Sequence, residues 1–212
     1  MHPELHLDGH ATCAGQPIGI IVRLPGQYSL ANHRNAKGKW RKFACRAVNI
    51  SERAIGLVAP VIGSVGEQVM ADIEHVGKIE GNITNILPCG FTMSIEKCQG
   101  DRTHLRNKID WIENHKTYGA PDKRVSSPRF APANPYSKLL LGDGTLIPCL
   151  IIDLSATGAR ISGDIDPELG TVLAVGTVVG RVVRRFDEGF ALKFVEPQAL
   201  DRVETMATVS KS

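Results

Sequence analysis

The stretch Cys149-Leu150-Ile151-Ile152-Asp153-Leu154-Ser155-Ala156-Thr157-Gly158-Ala159-Arg160-Ile161 runs from branched apolar residues into a small polar turn and back into an apolar run. Residues 146–152 have the aliphatic, β-branched character of a buried strand. Asp and Ser favour turns because their short side chains bond nearby backbone, and Gly because its φ is free. The pattern predicts strand, turn, strand. Asp153 and Ser155 lie two apart, so extended geometry points them to the same side, and Gly158 lets the backbone turn tightly or come close to a ligand. Taken alone, Asp-x-Ser-x-x-Gly is also the sequence of an ordinary Asx or Ser turn.

A second copy of the same pattern lies upstream. Cys45-Arg46-Ala47-Val48-Asn49-Ile50-Ser51-Glu52-Arg53-Ala54 aligns with Cys149 to Gly158 at a constant offset, matching Asn49 to Asp153, Ser51 to Ser155 and Ala54 to Gly158. The match extends outward: Gly38 to Gly142, Gly66 to Gly170 and, after a change of register, Gly81, Gly90 and Phe91 to Gly180, Gly189 and Phe190. Glycines recurring at turn positions over such a length mean two copies of one domain rather than one large fold.

The bulk composition agrees. A chain of 212 residues accommodates two domains of about 100 residues, each able to hold a core. The 42% hydrophobic and 22% charged content is that of a globular protein, and a formal net charge of +3 is too small to predict binding to a nucleic-acid polymer. Any anion site must therefore be local. The five cysteines, at positions 13, 45, 89, 98 and 149, have no Cys-x-x-Cys spacing and are odd in number, which argues against a disulfide framework or a zinc knuckle. They read as reduced thiols in a cytoplasmic protein. The N-terminus lacks the basic start and apolar core of a signal peptide, and no apolar run approaches the roughly 18–20 residues that span a bilayer.

Along the chain, residues 1–15 read as a loose arm. His2, His6, His10 and Cys13 recur there at near-helical spacing and are metal-capable, but Pro3 and Gly9 oppose a helix; no metal or cofactor is expected. Residues 16–97 alternate strands and turns, with strands at 18–24, 27–30, 41–50, 55–61 and 68–73 and a hairpin of 78–86 and 91–95 turning at Leu87-Pro88-Cys89-Gly90. This is the grammar of a small closed barrel or a sandwich. Residues 98–116 contain a helix, with Leu105, Ile109 and Ile112 on one stripe and Asp101 or Thr103 as its cap. Trp111 falls off the stripe, which leaves open a partner-facing or dimer-forming role. Residues 117–135 form a Pro- and Gly-containing linker carrying Lys123, Arg124 and Arg129. Residues 136–212 repeat the strand pattern at 138–141, 146–153, 159–162, 172–175, 177–186 and 190–195, with a last helix from Pro197 striped by Leu200, Val203 and Met206.

Arginines ahead of the second barrel, Asp153-x-Ser155-x-x-Gly158, Gly180-Arg181-Val182-Val183-Arg184 and Gly189-Phe190-Ala191-Leu192-Lys193-Phe194 before a terminal helix together resemble a PilZ domain. The resemblance covers most of the chain as a tandem pair. It implies an all-β fold with terminal helices, made of two six-stranded antiparallel β-barrels, in a bacterial receptor for the second messenger cyclic di-GMP that regulates motility or biofilm formation. It further implies that Lys123, Arg124 and Arg129 from the loop, with Asp153, Ser155 and Gly158 from the barrel surface, hold the ligand. The residue types suit it. Arginine forks pair with phosphates and with the O6/N7 edge of guanine, Asp153 can accept from guanine N1–H and N2–H, and Ser155 can bond a phosphate or base edge.

Two departures are visible. Four residues separate Arg124 from Arg129 where the family pattern has three, and the first copy lacks an arginine pair and carries Ala54 for the motif glycine, so it is expected to be degenerate for ligand. An enzyme is not expected, because the sequence offers no Gly-x-Ser-x-Gly elbow, no Walker loop and no histidine near the turn. The competing reading is a PilZ-like interaction or dimerisation module without nucleotide. Because the arginines sit in the segment joining the barrels, ligand is expected to order residues 116–135 and change the arrangement of the barrels for an unknown downstream protein.

Overall fold

The computed structural model describes residues 19–35, 38–115 and 128–208. The first part contains β1 (Ile20–Leu30), β2 (Phe43–Ile50), β3 (Ala54–Val58), β4 (Gln68–Ile73), β5 (Gly77–Leu87), β6 (Gly90–Ser94), β7 (Lys97–Cys98) and α1 (Arg102–Asn114). Its strands pair antiparallel in the order β1-β2-β3-β6-β5-β4, and β4 returns to β1 to close the ring. The second contains β8 (Tyr136–Leu140), β9 (Leu146–Ser155), β10 (Gly158–Gly163), β11 (Val172–Val175), β12 (Val178–Phe186), β13 (Gly189–Phe194) and α2 (Leu200–Ala207). It closes in the equivalent order, β8-β9-β10-β13-β12-β11. The expected pair of six-stranded antiparallel barrels is what the chain forms, and closure leaves no ring strand with a free edge.

The repeat reaches into the irregularities. The pairing of β2 with β3 skips Val48, between Ala47 and Asn49, and the pairing of β9 with β10 skips Ile152, between Ile151 and Asp153. The β5–β6 ladder skips Thr84 and the β12–β13 ladder skips Val183. The bulges bend small sheets enough to close. The recurring hairpin glycines follow from the same closeness: a Cβ on Gly90 would lie 1.9 Å from Leu57 O, and one on Gly189 would lie 2.0 Å from Ile161 O. Each ring is filled by alternate side chains, with Tyr28, Phe43 and Phe91 in the first and Phe190, Leu192 and Ile161 in the second, all buried.

Local expectations are corrected in three places. Residues 20–30 form one strand, not two, because a register shift between Ile21 and Leu24 carries the pairing with β2 through Pro25 and Gly26. The last helix starts at Leu200 instead of Pro197 and buries Val203 and Ala207, while Leu200 faces solvent. Cys45, Cys98 and Cys149 are free thiols, whereas Cys89 is disulfide-bonded, so the reading of five reduced thiols does not hold. The first helix keeps its expected cap, Asp101 accepting from His104 N at 2.7 Å, and packs Leu105, Ile109 and Ile112 into the first core. No helix among the described residues is long and apolar enough to cross a membrane. The arm carrying His2, His6, His10 and Cys13 lies outside the described residues; among those described, no group of three or more His, Cys, Asp or Glu is placed to hold a metal.

The two barrels meet through equivalent strands. Ala44, Val58 and Leu150 form a small buried cluster flanked by Val48, Tyr136 and Ile152. Around it, Ala44 N donates to Ser162 Oγ at 2.9 Å, and Arg41 donates to Asp164 Oδ1 at 2.8 Å and to the carbonyls of Gly163 and Ile165 at 3.2 and 2.5 Å.

Candidate functional site

The turn between β9 and β10 is a tight hairpin in which Ser155 pairs with Gly158, so Asp153 falls directly opposite Arg160. Ser155 is 1% exposed and its hydroxyl donates to Gly158 O at 3.1 Å; Ser51 makes the same bond to Ala54 O at 3.2 Å in the first barrel. The serine thus clasps the turn from inside. Gly158 is also buried, and a Cβ there would come 2.3 Å from Leu192 O on β13. The demand for glycine at this position comes from barrel packing.

Asp153 faces outward and is reached from two sides. Arg129 Nη1 donates to Asp153 Oδ1 at 2.8 Å, and Arg160 Nη1 to Asp153 Oδ2 at 3.3 Å. Arg160 also donates through Nη2 to Glu188 Oε1 at 3.3 Å, and its guanidinium lies 4.7 Å from the centroid of Phe186, a cation–π distance. The Asp153 side chain is only 18% exposed and those of Arg129 and Arg160 just over one-third, so these pairs are less screened than ordinary surface pairs. Arg184, on β12, projects into the same space with no carboxylate partner among the described residues. Arg129, Asp153, Arg160, Val183, Arg184, Phe186 and Ala191 line an open cleft of about 450 Å³.

Arg129 is held there by the backbone that follows it. Phe130 and Leu154 exchange both backbone hydrogen bonds, at 2.9 and 2.8 Å, and Ile151 N donates to Pro135 O at 2.7 Å. Residues 128–135 are therefore already laid along β9. Lys123 and Arg124 lie outside the described residues. Of the site residues read from the sequence, Arg129 and Asp153 come together on the surface, while Ser155 and Gly158 shape the turn beneath them. Arg160, Arg184, Phe186 and Glu188 were missed. The signal for Arg160 was present, since a hairpin pairing Ser155 with Gly158 sets its register.

The first barrel has the same scaffold with the chemistry removed. Asn49 pairs with Gly56 where Asp153 pairs with Arg160, and Ile20 pairs with Ile50 where Phe130 pairs with Leu154, which places Gly19 at the position of Arg129. Asn49 is 4% exposed, and its Oδ1 is buried without a hydrogen-bond partner among the described residues.

No family model and no curated protein matches the chain. Among solved structures, it is similar to the PlzA protein of Borreliella burgdorferi in complex with c-di-GMP, at 8% identity over 88% of this chain and 86% of that one, with a TM-score of 0.30. It is similar to the inhibitor of motility MotI/DgrA of Bacillus subtilis, at 12% identity over 89% and 94%, with a TM-score of 0.28. It is also similar to the MrkH–c-di-GMP complex of K. pneumonia, at 13% identity over 87% and 84%, with a TM-score of 0.28.

Proposed function

We propose that the cleft on the second barrel is a receptor site for cyclic di-GMP and that the chain is a PilZ-like effector of that second messenger. The observation that carries this reading is the convergence of Arg129, Arg160 and Arg184 around Asp153 and Phe186 in one open cleft at the Asp-x-Ser turn. Each ligand brings two phosphates and two guanines. Guanidinium forks bond phosphate oxygens and guanine O6/N7 bidentately, and a ring already stacked by a guanidinium is a platform for a planar base. Both oxygens of Asp153 are occupied by arginines without ligand. Binding then becomes an exchange: phosphate takes over an arginine, and guanine N1–H and N2–H take over Asp153. Neither charge is left buried without a partner at the end, which would cost several kcal/mol.

The exchange gives the Arg129 side chain a new partner, at the head of the segment that reaches the first barrel. We read the output as a change in the arrangement of the barrels that is recognised by a downstream protein. Calorimetric titration of the full chain with cyclic di-GMP tests the receptor reading, with GMP and cyclic GMP as controls. Micromolar or tighter binding, corresponding to about 8 kcal/mol or more, is expected for cyclic di-GMP alone. Absence of both heat and thermal stabilisation would overturn it in favour of an interaction or dimerisation module.

A further inference from the structure

We infer that Arg46, on β2 of the first barrel, is a positioning residue for the ligand-binding arginine of the second. The inference rests on the cyclic di-GMP reading of the cleft. Arg46 Nη1 donates to Pro132 O at 2.5 Å and lies 3.4 Å from Ala133 O. From the other side, Ala133 N donates to Glu204 Oε1 at 2.6 Å, on α2. The loop is thus clamped between a strand of one barrel and the terminal helix of the other, three residues beyond Arg129. Three residues of chain span at most about 10 Å, and Phe130 between them is bonded to β9, so little slack separates the clamp from the Arg129–Asp153 pair.

Arg46 is placed to hold rather than to drift. It lies in the interior of β2, between Pro25 on β1 and Val58 on β3, and a side chain on a strand within a closed ring is positioned more firmly than one on a loop. Burial, with Arg23 close by, lowers its pKa to about 10. A cation kept where desolvation disfavours it, pointing at backbone carbonyls, indicates that those carbonyls are its bonding partners. The first barrel, stripped of its own site, thereby contributes to the second one.

The test uses the full chain and cyclic di-GMP. Arg46→Ala should weaken binding about tenfold, with Arg46→Lys recovering part of the loss through a single donor. In an Arg129→Ala background, Arg46→Ala should change affinity by less than about twofold, because the residue acts through Arg129. In the ligand-free protein, hydrogen exchange at the Phe130 and Leu154 amides should accelerate in Arg46→Ala while Leu192 stays protected. Unchanged affinity in Arg46→Ala, an equal loss with and without Arg129, or unchanged exchange at Phe130 and Leu154 would each overturn the inference. If Arg46→Ala does not fold, Glu204→Gln, which weakens the clamp from the α2 side, must give the same pattern or the inference fails. A wild type that does not bind would defeat the receptor reading instead, and the exchange measurement, which needs no ligand, would still decide whether Arg46 holds the loop.

Discussion

Asn49 and Asp153 occupy the same register position in the two barrels, yet Asp153 is gripped by two arginines while Asn49 is buried with its side-chain oxygen unbonded among the described residues. Gly19 and Gly56 stand where Arg129 and Arg160 would be needed, so restoring the acid alone restores nothing. Asn49→Asp should destabilise the protein by about 3–5 kcal/mol, the cost of a buried charge without a partner. Such a carboxyl has a raised pKa, so the loss should be large at neutral pH and shrink as pH falls and the group takes up a proton. Chemical denaturation at pH 7 and pH 5 checks this; a neutral effect at both would mean that the position is open to water.

If the cleft is the proposed receptor site, the arginines of the second barrel supply the affinity. Arg129→Ala and Arg160→Ala should each weaken cyclic di-GMP binding about tenfold, roughly 1.4 kcal/mol, and reduce its salt dependence. Arg160→Lys should recover little, because lysine reproduces neither the planar fork joining Asp153 to Glu188 nor the stacking on Phe186. Titrations at two salt concentrations test both statements, and an Arg160→Lys protein that binds like wild type would remove Arg160 from the site.

Gly158→Ala separates packing from ligand contact. The added methyl would meet Leu192 O on β13, so the variant should lose about 1–3 kcal/mol of stability and melt several degrees lower. Thermal unfolding without ligand and a titration with cyclic di-GMP decide together. An unchanged melting temperature combined with lost binding would return Gly158 to the ligand surface.

Alkaline pH should weaken the second core through Cys149. Burial pushes its thiol up to about 12, with a bond to Ser137 opposing in part, whereas an unfolded cysteine titrates near 8.5. The folded state holds the proton more tightly, so this contribution is complete below about pH 8.5 and is lost as pH rises toward 12, by at most about 1.4 kcal/mol per unit. Cys45 is raised by burial in the same way. Urea midpoints from pH 7.5 to 10 should fall more steeply for wild type than for Cys149→Ala; parallel curves would mean that the thiol is accessible.

Much of the fold was legible because duplication gave every ring strand a second witness. Phe91 and Phe190, Gly90 and Gly189, Ser51 and Ser155 each confirm the other, and closure demands the same glycines twice. What escaped was decided across strands rather than along them. Pro25 sits inside β1 because the sheet carries it past the bulge at Ile21, and β7 exists because Lys97 and Cys98 find Glu80 and Ile79 on β5. The same holds for the cleft. Asp153 and Arg129 belong to a linear motif, whereas Arg160, Arg184 and Phe186 join them only through the register of β10 and β12.

Each ring is built from strands consecutive in the chain: the last strand of the first ends at Ser94, before Tyr136 opens the second. Two rings of identical connectivity in one polypeptide invite the wrong strands to pair during folding. Synthesis from the N-terminus removes that hazard by timing. The first ring needs only its own β4 to close, and the wall it completes carries Ala44 and Arg41, the residues that bond Ser162 and Asp164 of the second.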